Sequence, residues 1–214
     1  MVNESLLHNW FYGNTLVREI AAIGFALVMG ALPVGPTVAW LFSDVDPRAG
    51  RAAGVVVPFL DAIKAFVPVA IAAHGGGPAI GIAAAFAALV GDCYSPWLRA
   101  HSGKGVAVMG GVLVALCLPA AVAFAAVWFV VAIASNFVAA GSVVAMAVTI
   151  VSLWFFLGVR GAVLGLGAFV LVSLRHTATL ARLGENREPP LWPPPPLPVR
   201  PLLVRADREP VQGV

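Results

Sequence analysis

Lys104 is the residue best suited to meeting a phosphate. It sits in SGKGVAV (Ser102 to Val108), between Gly103 and Gly105, immediately before a long apolar run. Glycines let a backbone approach a ligand closely. The lysine supplies positive charge, and a helix start supplies free backbone N–H groups and the positive end of a dipole. Ser102, Gly103, Lys104 and Gly105 together form a candidate phosphate cradle at a membrane surface. It is not a Walker A loop, because the first glycine and the Ser/Thr after the lysine are both missing. The bland alternative is a lysine snorkelling from the end of a membrane span.

A second cluster is RHTATLARLGENRE (Arg175 to Glu188), where an apolar run meets water. His176, beside Arg175 and near Arg182, carries the side chain best suited to proton transfer near neutral pH. The alternative is an interfacial basic helix touching anionic headgroups. A third cluster is the pair Asp61 and Lys64, three residues apart and so on one helix face. Ionisable groups inside a membrane are costly and face polar interiors; a structural ion pair is the plain reading. Arg48, in DPR, adds a cation on the same surface, or is an ordinary loop arginine that sets orientation. His8, His74 and His101 lie apart, with no carboxylate or cysteine at metal-ligand spacing, so no metal site is expected. Cys93 and Cys117 are expected as reduced thiols. Gly161, Gly165 and Gly167 suit helix packing better than nucleotide binding.

These clusters need elements to hold them, and composition says which. The chain is 60% hydrophobic and only 11% charged, against about 25% for a soluble domain. Its mean hydropathy is +0.94. No charged residue occurs from Gly105 to Val159, room for two or three spans of about 20 residues each. Continuous Ala-, Leu- and Val-rich runs without alternation point to helices and exclude a barrel. The expected fold is all-α, a polytopic transmembrane bundle of about seven spans.

The first span runs from about Ile20 to Phe42, broken near Pro33 and Pro36. The second covers Ala52 to Ala73 and the third Ala79 to Val90, joined by HGGGP. The uncharged run divides near Pro119 and between Ser135 and Ser142. The last span covers Leu157 to Leu174. The domain division is thus a short outer N-terminus (1–18), a transmembrane domain (19–175) and a cytosolic tail (176–214), proline-rich from 189. No cleavable signal peptide is evident.

Basic residues set the orientation. Arg48 and Arg51, Arg99 and Lys104, and Arg175, Arg182 and Arg187 fall on one side if the span number is odd. That side is the cytosol, with the N-terminus outside. The net charge of +3 reflects these loops, and nucleic acid is not an expected partner. Membrane lipids are. PPLWPPPPLPVRP (Pro189 to Pro201) reads as an extended polyproline segment, which a partner protein's aromatic-lined groove could take.

Taken in order, the motifs resemble the bacterial acyl-phosphate-dependent glycerol-3-phosphate acyltransferases. That family's middle motif, GH and later KFKGGKGVAT, matches GDCYSPWLRAHSGKGVAV at Gly91, Leu98, Gly103, Lys104, Gly105, Val106 and Ala107. Its last motif matches Arg175, His176, Arg182, Leu183 and Glu188. Its LLLDxLKGxxPV is similar to FLDAIKAFVPV, keeping Leu60, Asp61, Lys64, Pro68 and Val69. Its TRYVSLAS is similar to SNFVAAGS, keeping Val138 and Ser142.

The resemblance implies acyl transfer from acyl phosphate to the 1-hydroxyl of sn-glycerol 3-phosphate, giving lysophosphatidic acid at a bacterial inner membrane. It implies no cofactor. His176 and Ser142 would be catalytic, positioning glycerol phosphate. Arg48, Ser102, Gly103, Lys104 and Gly105 would hold phosphate, supported by Asp61, Lys64, Arg175 and Arg182. The sequence departs from the pattern at Ala31, Asp92, Asn136 and Thr179, where the family has Ser, His, Arg and Asn. It also lacks the glycine–asparagine loop after Arg48. Two other readings follow from these features: a degenerate member that binds without turnover, and a small permease using Asp61 and Lys64.

Overall fold

The computed structural model describes residues 15–42, 49–97, 103–185, 187, 190 and 191. Arg48, Ser102, Arg99, His8, His101 and nearly all of the proline-rich tail lie outside the described residues. Within them the secondary structure is helical, with no strand. The helices are α1 (Thr15–Ala31), α2 (Val34–Phe42), α3 (Ala49–Cys93), α4 (Val106–Leu116), α5 (Leu118–Ser135) and α6 (Val138–Gly184). The first begins before Ile20 and stops at Leu32 and Pro33, as the two prolines predict. The last continues beyond Leu174 to Gly184, so the polar motif after Arg175 begins as helix.

Two of these helices are hairpins. Gly77 has φ 80° in α3, and Gly158 has φ 65° in α6. Left-handed backbone is cheap only for glycine, and it turns the chain back on itself. In a straight helix residues 150 and 165 would lie about 22 Å apart. Instead, a Cβ added at Gly165 would stand 2.8 Å from the Ile150 Cα. A Cβ at Gly81 would likewise stand 2.7 Å from that of Ala73.

Small residues set the spacing between helices. A Cβ at Gly30 would overlap the Ala88 carbonyl, one at Gly91 that of Leu27, and one at Gly111 that of Ala62. Alanine fills much of the core, including the fully buried Ala26, Ala65, Ala84, Ala88 and Ala168. Lipid gives helices no hydrophobic reason to associate, so close backbone approach and dispersion must hold them together. Large apolar side chains point outward instead: Phe155 is 81% exposed and Val55 73%. Helices Leu118–Ser135, Val138–Gly184 and the Gly54–Cys93 part of α3 are long and apolar enough to cross a membrane.

The break after α1 leaves carbonyls without helical partners. The Ser95 hydroxyl donates to the Ala31 carbonyl at 2.6 Å. The Lys64 ammonium donates to the Leu32 carbonyl at 3.1 Å. At the other turn, α5 ends on Asn136, which has φ 62°. The Asn136 carbonyl accepts the Leu191 N–H at 2.7 Å, bringing the chain after α6 back to the α5–α6 turn.

Candidate active site

A cavity of about 470 Å³ opens between α3, α4, α5 and α6. It gathers Asp61, Asp92, Lys104, Ser142, His176 and Thr179 from distant parts of the chain. Phe124, Trp128, Phe129 and Val138 also line it. One cavity therefore offers both polar groups and apolar side chains to a ligand.

Lys104 precedes the α4 N-terminus and donates to the Thr179 hydroxyl at 3.0 Å. The Arg182 guanidinium donates to the same hydroxyl at 3.2 Å. Thr179 is one turn before Arg182 on α6 and is 2% exposed. Two cations thus converge on one oxygen beside the cavity. A lysine snorkelling to bulk water would not be tied down in this way.

The His176 Nδ1 lies 2.9 Å from the Val172 carbonyl. A carbonyl only accepts, so Nδ1 carries the hydrogen and the neutral ring has its acceptor at Nε2. The ring is 2% exposed and lines the cavity. The Ser142 hydroxyl donates to the Val138 carbonyl at 2.9 Å and accepts from the Trp128 indole N–H at 3.1 Å. Its hydrogen is committed, so what it can offer a ligand is a second lone pair.

Asp61 and Lys64 are joined by a third group that sequence spacing did not suggest. The Lys64 ammonium lies 2.7 Å from Asp61 Oδ1 and 2.8 Å from Asp92 Oδ1. With the Leu32 carbonyl, these oxygens match the three hydrogens of an ammonium. Lys64 is 6% exposed and stands behind Asp61 and Asp92, which reach the cavity.

Gly103 and Gly105 do approach an anion closely, but that anion is Asp92. A Cβ at Gly103 would overlap the Asp92 carboxylate. The Gly105 N–H donates to Asp92 Oδ2 at 3.0 Å. Val106 and Ala107, the first residues of α4, line the cavity, and N–H groups at such positions have no helical acceptor.

Arg175 lies over the Tyr94 ring, 5.8 Å from its centroid, and does not line the cavity. Arg48 and Ser102 fall outside the described residues. Among the described residues no cluster could hold a metal ion. Sequence reasoning missed Phe124, Trp128 and Phe129, which lie in an uncharged run where nothing separates cavity from lipid. Thr179 and Asp92 stood out only as departures from a pattern.

The profile of the family described as glycerol-3-phosphate acyltransferase matches residues 20–186. The glycerol-3-phosphate acyltransferase of Bradyrhizobium diazoefficiens is 35% identical over 184 residues, covering 78% of this chain and 92% of the relative. That of Roseobacter denitrificans is 36% identical over 177 residues, covering 81% and 84%. Among solved structures, the fold is similar to the crystal structure of PlsY (YgiH), an integral membrane glycerol 3-phosphate acyltransferase, in its glycerol 3-phosphate form. The TM-score is 0.72 at 26% identity, over 80% of this chain and 94% of that one. The lysophosphatidic acid form matches with the same TM-score at 25% identity.

Proposed function

The chain belongs to the glycerol-3-phosphate acyltransferase family, and from that membership we propose that it acylates the 1-hydroxyl of sn-glycerol 3-phosphate using an acyl phosphate. The hydroxyl oxygen bonds to the acyl carbon, and the bond from that carbon to the phosphate oxygen breaks. The products are lysophosphatidic acid and inorganic phosphate, and the hydroxyl proton ends on the phosphate. Atoms and charge balance with no cofactor.

The observation that carries this reading is the cavity itself. It combines the Lys104 ammonium, the His176 ring and the Ser142 hydroxyl with apolar and aromatic side chains. Lys104 and the first α4 amides hold phosphate by charge-assisted hydrogen bonds. Arg182, converging with Lys104 on Thr179, adds to the positive field. Arg48 and Ser102, which lie outside the described residues, remain phosphate-binding candidates by resemblance alone. His176 Nε2 and the second lone pair of Ser142 accept from the glycerol hydroxyl and aim it at the acyl carbon. Such orientation and preorganised charge can supply much of the barrier reduction. The acyl chain lies along Phe124, Trp128 and Phe129.

The surrounding architecture is about seven crossings, counting each arm of the α3 and α6 hairpins as one. The N-terminus is outside, and the site faces the cytosol at a bacterial inner membrane. The proline-rich tail then lies in the cytosol, where a partner protein could take it.

Purified protein is incubated with palmitoyl phosphate and labelled glycerol 3-phosphate. Labelled lysophosphatidic acid is expected, and it should vanish in Lys104→Ala and His176→Ala. No product, with glycerol 3-phosphate still protecting the chain from heat, would replace the enzyme by a binding protein. The departures at Ala31 and after Arg48 are what favour that second reading. Transport has weaker support, since Lys64 is saturated by fixed oxygens.

A further inference from the structure

Asp92 is a buried carboxylate, 5% exposed, with both oxygens engaged. Oδ2 takes the Gly105 N–H and Oδ1 takes the Lys64 ammonium. Lys64 in turn holds the Leu32 carbonyl at the α1–α2 break. The lysine loop wraps the Asp92 carboxylate so closely that Gly103 has no room for a Cβ. The carboxylate thus ties the residues on either side of Lys104 to α3, and through Lys64 to α1.

We propose that Asp92 is a positioning residue for phosphate recognition. It fixes the loop around Lys104, so that the ammonium and the first α4 amides point into the cavity together. Its negative charge is partly offset by the Lys64 ammonium, which it shares with Asp61, and by the Gly105 N–H. This rests on the phosphate-handling reading of the cavity, and it adds a residue that acts through the Lys104 loop.

A positioning carboxylate and simple electrostatics differ in the sign of the effect. Removing a carboxylate near an anion site should strengthen phosphate binding. Removing a positioning carboxylate should weaken it, because Lys104 and the helix start are released. Asp92→Ala separates the two. Lys64 keeps Asp61 and the Leu32 carbonyl as partners, so the remaining pair is neutral and the chain should fold. Asp92→Asn is the companion variant: its amide oxygen can still accept from Gly105, while the charge and the acceptor for Lys64 are both gone.

The full chain is purified in detergent, and KM for glycerol 3-phosphate, KM for palmitoyl phosphate and kcat are measured. In Asp92→Ala, at least one KM should rise about tenfold, the size of a lost hydrogen bond to a charged group, with a smaller change in kcat. The substrate whose KM moves identifies the phosphate that this loop holds. Asp92→Asn should recover most of the loss. Should Asp92→Ala not fold, Asp92→Ser, too short to reach Gly105, is read in its place. Both KM values unchanged or lowered, or Asp92→Asn as impaired as Asp92→Ala, would overturn the proposal.

If the wild type gives no product, the acyltransferase reading fails separately. The same comparison is then made by heat protection with glycerol 3-phosphate, where the alanine variant should need about tenfold more ligand. Equal protection of wild type and variant, or none in the wild type, would also overturn it.

Discussion

Lys104 and Thr179 meet across 3.0 Å, a bond that fastens the loop before α4 to the last helix. The Arg182 guanidinium shares the same oxygen at 3.2 Å. Thr179 stands where the resembling family has asparagine, yet it still offers both cations a neutral acceptor. Thr179→Val keeps the shape and removes the oxygen. Its kcat/KM should fall about tenfold, while Thr179→Asn should keep most of the activity. Steady-state kinetics on the two purified variants decide this. Full activity in the valine variant would show that the shared hydroxyl is irrelevant.

In the proposed reaction His176 works through its Nε2 acceptor. His176→Asn can still donate to the Val172 carbonyl from its amide, but it has nothing at the Nε2 position. Turnover should drop about 10²-fold or more, with little change in melting temperature. Substantial remaining turnover would remove His176 from the chemistry.

Lys64 is the one cation shared by two carboxylates that are mostly sequestered from water. Lys64→Met would leave Asp61 and Asp92 facing each other without a cation. Breaking such a pair costs about 3–5 kcal/mol, so the melting temperature in detergent should fall sharply. Adding Asp61→Asn should restore part of the loss by removing one of the stranded charges. A single variant as stable as wild type would contradict the triad.

Gly111 lets α4 lie against the α3 backbone at Ala62. Gly111→Leu should force the helices apart and cost about 1–3 kcal/mol. Gly24, whose Cβ would meet nothing within 4 Å, is the control: Gly24→Ala should be neutral or slightly stabilising. Thermal unfolding of both variants in one detergent reads the difference.

Much of the helical framework is legible in the residues. An uncharged run from Gly105 to Val159 has few options in a bilayer, where every backbone group needs an internal partner. Pro33 and Pro119 mark helix ends because proline cannot donate to the preceding turn. Gly77 and Gly158, with their positive φ, mark the reversals.

The site was legible only in part. Lys104, Ser142 and His176 could be picked out by type and by resemblance, and they line one cavity. Their hydrogen-bond state could not be read, because it depends on neighbours such as Trp128 and Val172 fixed by packing and helix register. The glycines around Lys104 signal a close approach to an anion. The sequence cannot say that a carboxylate of the protein itself fills that place.

The residue types alone therefore determined a helical membrane protein with few charges, held in short clusters. Burial in lipid forces that outcome whatever the arrangement of the helices. Which charges meet was decided only by the tertiary structure. Lys64 is three residues from Asp61 but far from Asp92 in sequence, and Lys104 is farther still from Thr179. Glycine- and alanine-lined crossings bring these groups within hydrogen-bond distance, and only the packed backbone fixes that distance.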